Sequence, residues 1–152
     1  MAILRDHYTS QNDTGEEWID ISEVHLKPGG DIDFIIIELA RDVILDDKAD
    51  IIPVSQVSVN IGDNVLTAGW GRVDNIHGPT VLQIATLQVS NVTDGIVRTL
   101  VNVDNRGVPI DPCAGDSGGP LVIREDSHWK LVGTLIGAGY DCQTNTTHGD
   151  GA

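Results

Sequence analysis

The sequence is poor in cysteine, aromatic residues and basic residues. Its 152 residues include two cysteines, 4% aromatic residues and nine Lys or Arg against 23 Asp or Glu, so the formal net charge is −14. A nucleic-acid-binding protein needs a basic surface to neutralise phosphates, and this shortage of cations excludes one. No apolar run approaches the length that crosses a bilayer, so no membrane partner is expected either.

Segments with a convincing helical pattern are also lacking. Short β-rich runs separated by turn residues instead predict an all-β fold in a chain of single-domain length. The rough alternation of Trp18–His25 predicts a half-buried strand, and the nearly continuous apolar run Phe34–Leu39 predicts a buried one. Further strands are predicted at 64–71 and 81–89, and a hairpin turning at 125–127 is predicted to join 121–123 to 129–135.

Three Asn-x-Ser/Thr sites are present, at Asn12, Asn91 and Asn145. Three such glycosylation acceptors in a short chain favour a secreted, extracellular glycoprotein. In that compartment Cys113 and Cys142 are expected to form a disulfide, worth about 3–4 kcal/mol in the chain-entropy model. Zinc binding by the two thiols is disfavoured, because no CxxC or HxxxH pair accompanies them.

The hexapeptide Gly115–Pro120 reads Gly-Asp-Ser-Gly-Gly-Pro and carries the most information about function. Ser117 has little side-chain bulk around it, so a substrate can reach its hydroxyl. The N–H groups beside it can converge on one point, which is the geometry that stabilises an oxyanion. The alternative interpretation is an ordinary glycine-rich turn before a strand.

Four segments, in order, resemble the chymotrypsin-like (trypsin-type) serine endopeptidases. The resemblance covers most of the chain, from about Asp6 to Cys142, and its most specific part is the loop around Ser117. The four segments are Asp31–Arg41, similar to the family's catalytic-aspartate segment; 45–54, similar to the linker that follows; Ala68–Arg72, similar to its Gly-Trp-Gly strand; and Cys113–Val122, similar to its nucleophile loop.

The resemblance implies a serine hydrolase that cleaves peptide bonds through an acyl-enzyme. Ser117 would be the nucleophile, and the N–H groups of Gly115 and Ser117 would form the oxyanion hole. Asp33 would orient the catalytic imidazole, with Asp31 as the alternative on the same strand.

The same resemblance implies roles for other residues in activation, in the substrate pocket and in a disulfide. Asp116 would pair with the N-terminal ammonium released on zymogen cleavage, and Asp111 would lie at the base of the primary pocket and select Lys or Arg. Ala138 would replace a glycine in the pocket wall. Cys113 and Cys142 match a family disulfide beside the substrate pocket.

The fold implied by the resemblance is a double six-stranded antiparallel β-barrel with an incomplete first barrel and a missing C-terminal helix. Residues 1–152 would form one partial serine-protease domain. Residues 1–53 would contain the remainder of the first barrel and the linker, and 54–152 the second barrel. The expectation is therefore a central fragment of a larger enzyme.

The family's general base is a histidine that precedes the catalytic aspartate, and it has no match in this sequence. Only His7 and His25 precede Asp33, and neither has the expected Ala-His-Cys context. We therefore expect the chain to be inactive alone, since a serine without a base is a poor nucleophile. The alternatives are a non-catalytic homologue acting as a binding or regulatory module, and an unrelated acidic all-β domain.

The loop from Asp6 to Glu16 resembles the family's calcium loop. Asp6, Asp13 and Glu16 offer the hard oxygen ligands that calcium prefers, although a solvated acidic loop is the alternative. No cofactor is required for the expected chemistry. The expected partners are a peptide or protein substrate and protease inhibitors, and the expected state is a monomer.

Overall fold

A computed structural model describes residues 1–26, 35–73, 78–137, 140–141 and 146–147, and these residues form an all-β structure. Within those ranges there is no helix, and so none that could span a membrane. The predicted all-β class is confirmed. The strands are β1 (Ala2–Leu4), β2 (Glu17–Ile19), β3 (Ile21–Leu26), β4 (Ile35–Leu39), β5 (Asn64–Gly69), β6 (Gln83–Thr93), β7 (Ile96–Leu100), β8 (Asn102–Val103), β9 (Pro109–Ile110), β10 (Pro120–Glu125), β11 (His128–Thr134), β12 (Tyr140–Asp141) and β13 (Thr146–Thr147).

The chain divides into two compact units, Met1–Ile51 and Ile52–Ala152. In the first unit, β1 pairs with β2 and β3 pairs with β4, each as an antiparallel ribbon of two strands. Ile19 at the end of β2 is its most buried large side chain, at 1% exposure. The first unit is therefore built from two small ribbons among its described residues.

An ion-pair cluster holds the first unit together around Glu17. This buried carboxylate accepts hydrogen bonds from Arg5 (3.0 Å) and from Arg41. The Arg41 hydrogen bond, assisted by Arg5, holds the pKa of the Glu17 carboxyl below its usual range. Arg5 also donates to the Ile44 carbonyl and to Asp46, so one guanidinium joins β2 to the chain beyond β4.

The second unit is built on a five-stranded antiparallel sheet with the order β11-β10-β5-β6-β7. β5 has the alternating burial expected of a strand with one face against the core. Its Val65 (1% exposed) packs with Leu87 and Val89 of β6 in a cluster of buried apolar side chains. The rest of that cluster is Val59 and Leu121, with Ala85, Val97, Ile123 and Val132 packed against it.

The strands predicted in the second unit are present, and the one predicted over 64–71 ends at Gly69 as β5. The predicted hairpin is formed by β10 and β11, and its turn residues Asp126 and Ser127 have φ angles of 47° and 68°. Positive φ at both central positions is typical of the turns that match the twist of a hairpin. The predicted strand 81–89 is confirmed as β6, which begins at Gln83 and extends to Thr93.

Two strand predictions in the first unit need correction. The strand predicted over 18–25 is two strands, because β2 ends at Ile19 and β3 begins at Ile21, pairing with different partners. The run 34–39 was predicted to be buried, but Ile35, Ile36 and Ile37 of β4 are 55%, 60% and 40% exposed. β4 pairs with β3 alone among the described strands, and both faces of this ribbon remain accessible.

Candidate active site

The loop around Ser117 lies between β9 and β10 in the second unit. Ser117 is exposed, and its two glycine neighbours, Gly115 and Gly118, have φ angles of 103° and 83°. Only glycine adopts such angles without steric cost. The glycines therefore shape the turn, and the serine hydroxyl lies at its surface.

Some backbone N–H groups of this loop donate hydrogen bonds to backbone carbonyls of the described residues, and others do not. Asp116 N donates to the Cys113 carbonyl (3.0 Å), and Gly118 N donates to the Leu135 carbonyl (2.7 Å). Among the described residues, neither Gly115 N nor Ser117 N donates to a backbone carbonyl. The two N–H groups predicted to form an oxyanion hole thus remain outside the loop's backbone hydrogen bonding.

The half-buried carboxylate of Asp116 binds the backbone on both sides. Oδ1 accepts the N–H of Gly71 at 2.7 Å, and Oδ2 accepts the N–H of Cys113 at 2.9 Å. A carboxylate that receives two backbone N–H groups fixes the segments that carry them. Asp116 therefore joins the segment after β5 to the start of the nucleophile loop, and its oxygens keep further acceptor capacity.

The glycines around Trp70 are required by this contact. A Cβ on Gly69 would lie 2.0 Å from Oδ1 of Asp116, and a Cβ on Gly71 would lie 2.2 Å from its Oδ2. Arg72 N also donates to the Ala114 carbonyl at 3.0 Å. The Gly-Trp-Gly segment and the Ser117 loop thus form one closely packed unit, in which a side chain at either glycine would displace the carboxylate.

Two further predicted residues lie near the loop. Cys113 is buried (6% exposed) and is not a free thiol. Asp111 is half-buried and directly follows β9. Five predicted site residues fall outside the described residues, so their predicted roles stay predictions: Asp31, Asp33, Ala138, Cys142 and Asn145.

The three acidic residues predicted to bind calcium lie together in the first unit. Asp6, Asp13 and Glu16 are half-buried, and one carboxylate oxygen of each lies within 4.8 Å of the others. Oδ1 of Asp6 is buried and has no hydrogen-bond partner among the described residues. Asp13 accepts the N–H groups of His7 and Tyr8, which orients its carboxylate.

The described glycosylation acceptors are accessible. Asn12 lies in the exposed part of the loop between β1 and β2, and Asn91 is exposed on β6. The Asn91 side-chain oxygen accepts a hydrogen bond from Thr93 Oγ1 at 2.6 Å, within the same acceptor motif. Both asparagines therefore present their side chains at the surface, as attachment of a glycan requires.

Sequence reasoning missed the direct contact between Asp116 and Gly71. The two residues are 45 positions apart, and the sequence alone does not show that their segments meet. The two glycines that flank Trp70 were the available signal, because a glycine inside a strand pattern often marks close approach of another group.

Comparisons with known proteins point to one family. The Trypsin family model matches residues 1–149. The chain is 27% identical to human (Homo sapiens) mannan-binding lectin serine protease 1 over 97% of its own length and 23% of that protein. It is 30% identical to a venom protease of Bombus pensylvanicus over 72% of the chain and 50% of that protein. A trypsin of Xenopus laevis is 28% identical over 91% of the chain and 61% of that protein.

The chain thus spans less than two thirds of the length of each of these relatives. Their names all describe proteases, in agreement with the family match.

Proposed function

The chain belongs to the trypsin family, and on that premise we propose that the protein containing it is a serine endopeptidase with Ser117 as its nucleophile. One observation supports the proposal most strongly. The Ser117 side chain is exposed at a turn where the N–H groups of Gly115 and Ser117 make no backbone hydrogen bond to another described residue. Two such donors beside a serine are what stabilisation of an oxyanion requires.

The proposed reaction is acyl transfer. Ser117 Oγ attacks the peptide carbonyl carbon while its proton passes to an imidazole base, which the resemblance assigns to a histidine preceding Asp33. The C–N bond then breaks, the amine leaves with that proton, and an ester to Ser117 remains. Water hydrolyses the ester and restores the hydroxyl. Asp33 orients the imidazole and stabilises its charged form.

Asp116 has a positioning role in this proposal. Its hydrogen bonds to Gly71 and Cys113 fix the start of the loop that carries both oxyanion donors. The remaining acceptor capacity of its carboxylate suits the ammonium group released by zymogen cleavage. Formation of that ion pair would order the loop further and activate the enzyme.

We propose cleavage after Lys or Arg, selected by Asp111. A half-buried carboxylate attracts the cationic side chain of Lys or Arg by its charge and offers no such attraction to an uncharged side chain. Ala138 would narrow the same pocket.

The proposed location is extracellular. The accessible acceptors Asn12 and Asn91 suit glycosylation, as does the third acceptor, Asn145, by sequence. The disulfide that involves Cys113 is proposed to close on Cys142, the one other cysteine of the sequence. A venom protease among the relatives supports a secreted protein.

We further propose that calcium binds to Asp6, Asp13 and Glu16. The residues fit the ion, because three carboxylates offer only oxygen ligands and one buried oxygen of Asp6 has no hydrogen-bond partner among the described residues. Bound calcium would compensate the charge of the three acids and fix the loop between β1 and β2. The remaining ligands would come from backbone carbonyls and water.

Labelling with a fluorophosphonate tests the proposed nucleophile. In the complete natural protein, Ser117 Oγ should displace fluoride from phosphorus, with the proton passing to the base, and form a stable phosphonate ester. Mass spectrometry should then find one label on the tryptic peptide that contains Ser117, and none in Ser117→Ala. A protein that is folded, proteolytically processed and still unlabelled would instead be a non-catalytic homologue.

A further inference from the structure

Three polar side chains of the β3–β4 ribbon lie on the same face. The antiparallel register places Glu23 of β3 directly opposite Glu38 of β4, and His25 opposite Ile36. Successive residues of a strand point to opposite faces, so Glu23 and His25 share one side and Glu38 joins them there across the ribbon. We call these three residues the ribbon cluster.

The imidazole of His25 lies between the two carboxylates. Its Nδ1 is 3.7 Å from Glu23 Oε1, and its Nε2 is 3.6 Å from Glu38 Oε2. One ligand atom from each residue lies within 4.8 Å of the other two. All three side chains are exposed, at 47% for His25, 63% for Glu23 and 62% for Glu38, so packing does not hold them in place. One ring nitrogen of His25 would ligate an ion, and the carboxylate beside the other nitrogen would have to turn towards it.

We propose that the ribbon cluster binds a divalent transition-metal ion of the zinc type. An imidazole nitrogen with two carboxylate oxygens matches the donors that zinc accepts, at about 2.0–2.2 Å each, with water in the fourth position. Calcium takes oxygen ligands, so a nitrogen donor disfavours it. The ribbon cluster therefore differs in metal preference from the all-oxygen set of Asp6, Asp13 and Glu16.

Charge favours occupation of the ribbon cluster. Two carboxylates face each other across the ribbon, and like charges directly opposite destabilise a strand pair. A protonated His25 would offset them only through exposed ion pairs, which contribute little. A bound dication would compensate both carboxylates at once, and the net charge of −14 attracts cations to the chain in general.

A metal held by the ribbon cluster would join β3 to β4 through side chains. Among the described strands these two pair only with each other, and their ribbon exposes apolar residues such as Leu26 (69%) and Ile36 (60%). Any ion that binds the folded ribbon and not the unfolded chain stabilises the fold. Zinc bound here should therefore stabilise the pairing of β3 with β4, independently of catalysis at Ser117.

Zinc titration of the complete protein, after removal of metal with a chelator, tests the proposal. Isothermal calorimetry should show a zinc site that calcium in large excess does not displace. His25→Ala and the isosteric Glu38→Gln should each weaken that site by about tenfold or more, because each removes a ligand. Circular dichroism of each variant checks that the ribbon change leaves the fold intact.

His128→Ala is the matched control. His128 is also exposed, but its Nδ1 lies 2.8 Å from the Asp126 carbonyl oxygen, at the β10–β11 turn. Zinc affinity should be unchanged in that variant and in His7→Ala. Zinc binding that persists unchanged in His25→Ala, or that is lost in His7→Ala, would overturn the proposal, as would the absence of any calcium-resistant zinc site.

Discussion

The carboxylate of Asp116 and the backbone of Gly71 contact each other so closely that no side chain fits between them. Asp116 Oδ1 accepts the Gly71 N–H at 2.7 Å, and a Cβ on Gly71 would lie 2.2 Å from Oδ2. The glycine-flanked tryptophan and the nucleophile loop, 45 residues apart, are thus one structural unit. The glycines of the Gly-Trp-Gly motif leave room for the Asp116 carboxylate, and this carboxylate accepts the N–H of Gly71.

Substitution of Gly71 by alanine should destabilise the protein. The added methyl group has to displace the Asp116 carboxylate or the backbone, and such overpacking costs about 1–3 kcal/mol. Displacement of Asp116 also releases its bond to Cys113 N, so peptidase activity of the complete protein should fall together with stability. Urea denaturation and a peptide-ester assay measure the two effects.

Gly137→Ala is the control for this prediction, because a Cβ at Gly137 has no atom of the described residues within 4 Å. Its free energy of unfolding should stay near that of the wild type. Equal stability of Gly71→Ala and Gly137→Ala would show that the contact with Asp116 is not tight in solution.

The Glu17 cluster should make the first unit sensitive to acid. The pKa of Glu17 is lowered in the folded state by its hydrogen bond to Arg41, with Arg5 as a second cation. Because its pKa is lower in the folded state, this carboxylate contributes stability that is fully present above its unfolded-state pKa of about 4.3. That stability is lost as pH falls through its folded-state pKa. The urea concentration at the midpoint of unfolding should therefore decrease when the pH is lowered below about 4.3.

Glu17→Gln should lower the urea midpoint of unfolding at neutral pH. In the acid range, the midpoint of this variant should depend less on pH than that of the wild type. Asp42→Asn, an exposed position in the same unit, serves as the control and should keep the wild-type profile. An unchanged acid profile in Glu17→Gln would mean that this carboxylate has the same pKa in the folded and unfolded states.

Calcium should raise the melting temperature through the loop between β1 and β2. Removal of one carboxylate by Asp6→Asn should abolish the shift, because Asp6 contributes the buried oxygen that no other described residue binds. Asp20→Asn, at an exposed position outside the cluster, should retain it. Differential scanning calorimetry with calcium or a chelator measures the shift, and its absence from the wild type would contradict the proposed site.

Asp111→Ser should remove the preference for Lys and Arg. Loss of the carboxylate that pairs with the substrate cation is expected to lower kcat/KM for an arginine substrate by roughly a hundredfold or more. Activity on a phenylalanine substrate should change much less. Assays with matched arginine and phenylalanine peptides measure the ratio, and Asp47→Ser is the exposed control. An unchanged ratio would assign specificity to other residues.

Local patterns predicted the second unit better than the first. Alternation and turn residues were sufficient for β5, β6 and the β10–β11 hairpin, whose buried faces meet in the cluster around Leu87. The prediction that Ile35–Ile37 are buried was wrong, because an apolar sequence shows only that a strand would be stabilised by burial. Whether such a strand becomes buried depends on which other elements pack on it.

The chemistry of the site was predictable only in part. The sequence singles out the Ser117 loop, because the small residues around the serine leave its hydroxyl accessible and allow the neighbouring N–H groups to converge. The contacts of Asp116 with Gly71 and of Glu17 with Arg5 and Arg41 depend on chain segments that meet only in the fold. No local pattern encodes such distant pairs.

Hydrolysis of an arginine peptide ester by the complete protein, with and without the Ser117 hydroxyl, tests the central claim most directly. The wild type should turn over the ester, and Ser117→Ala should reduce kcat by up to about a millionfold, whereas Ser58→Ala, an exposed serine elsewhere, should not change it. Turnover that survives in Ser117→Ala, or a processed wild type without turnover, would contradict a serine endopeptidase that acts through Ser117.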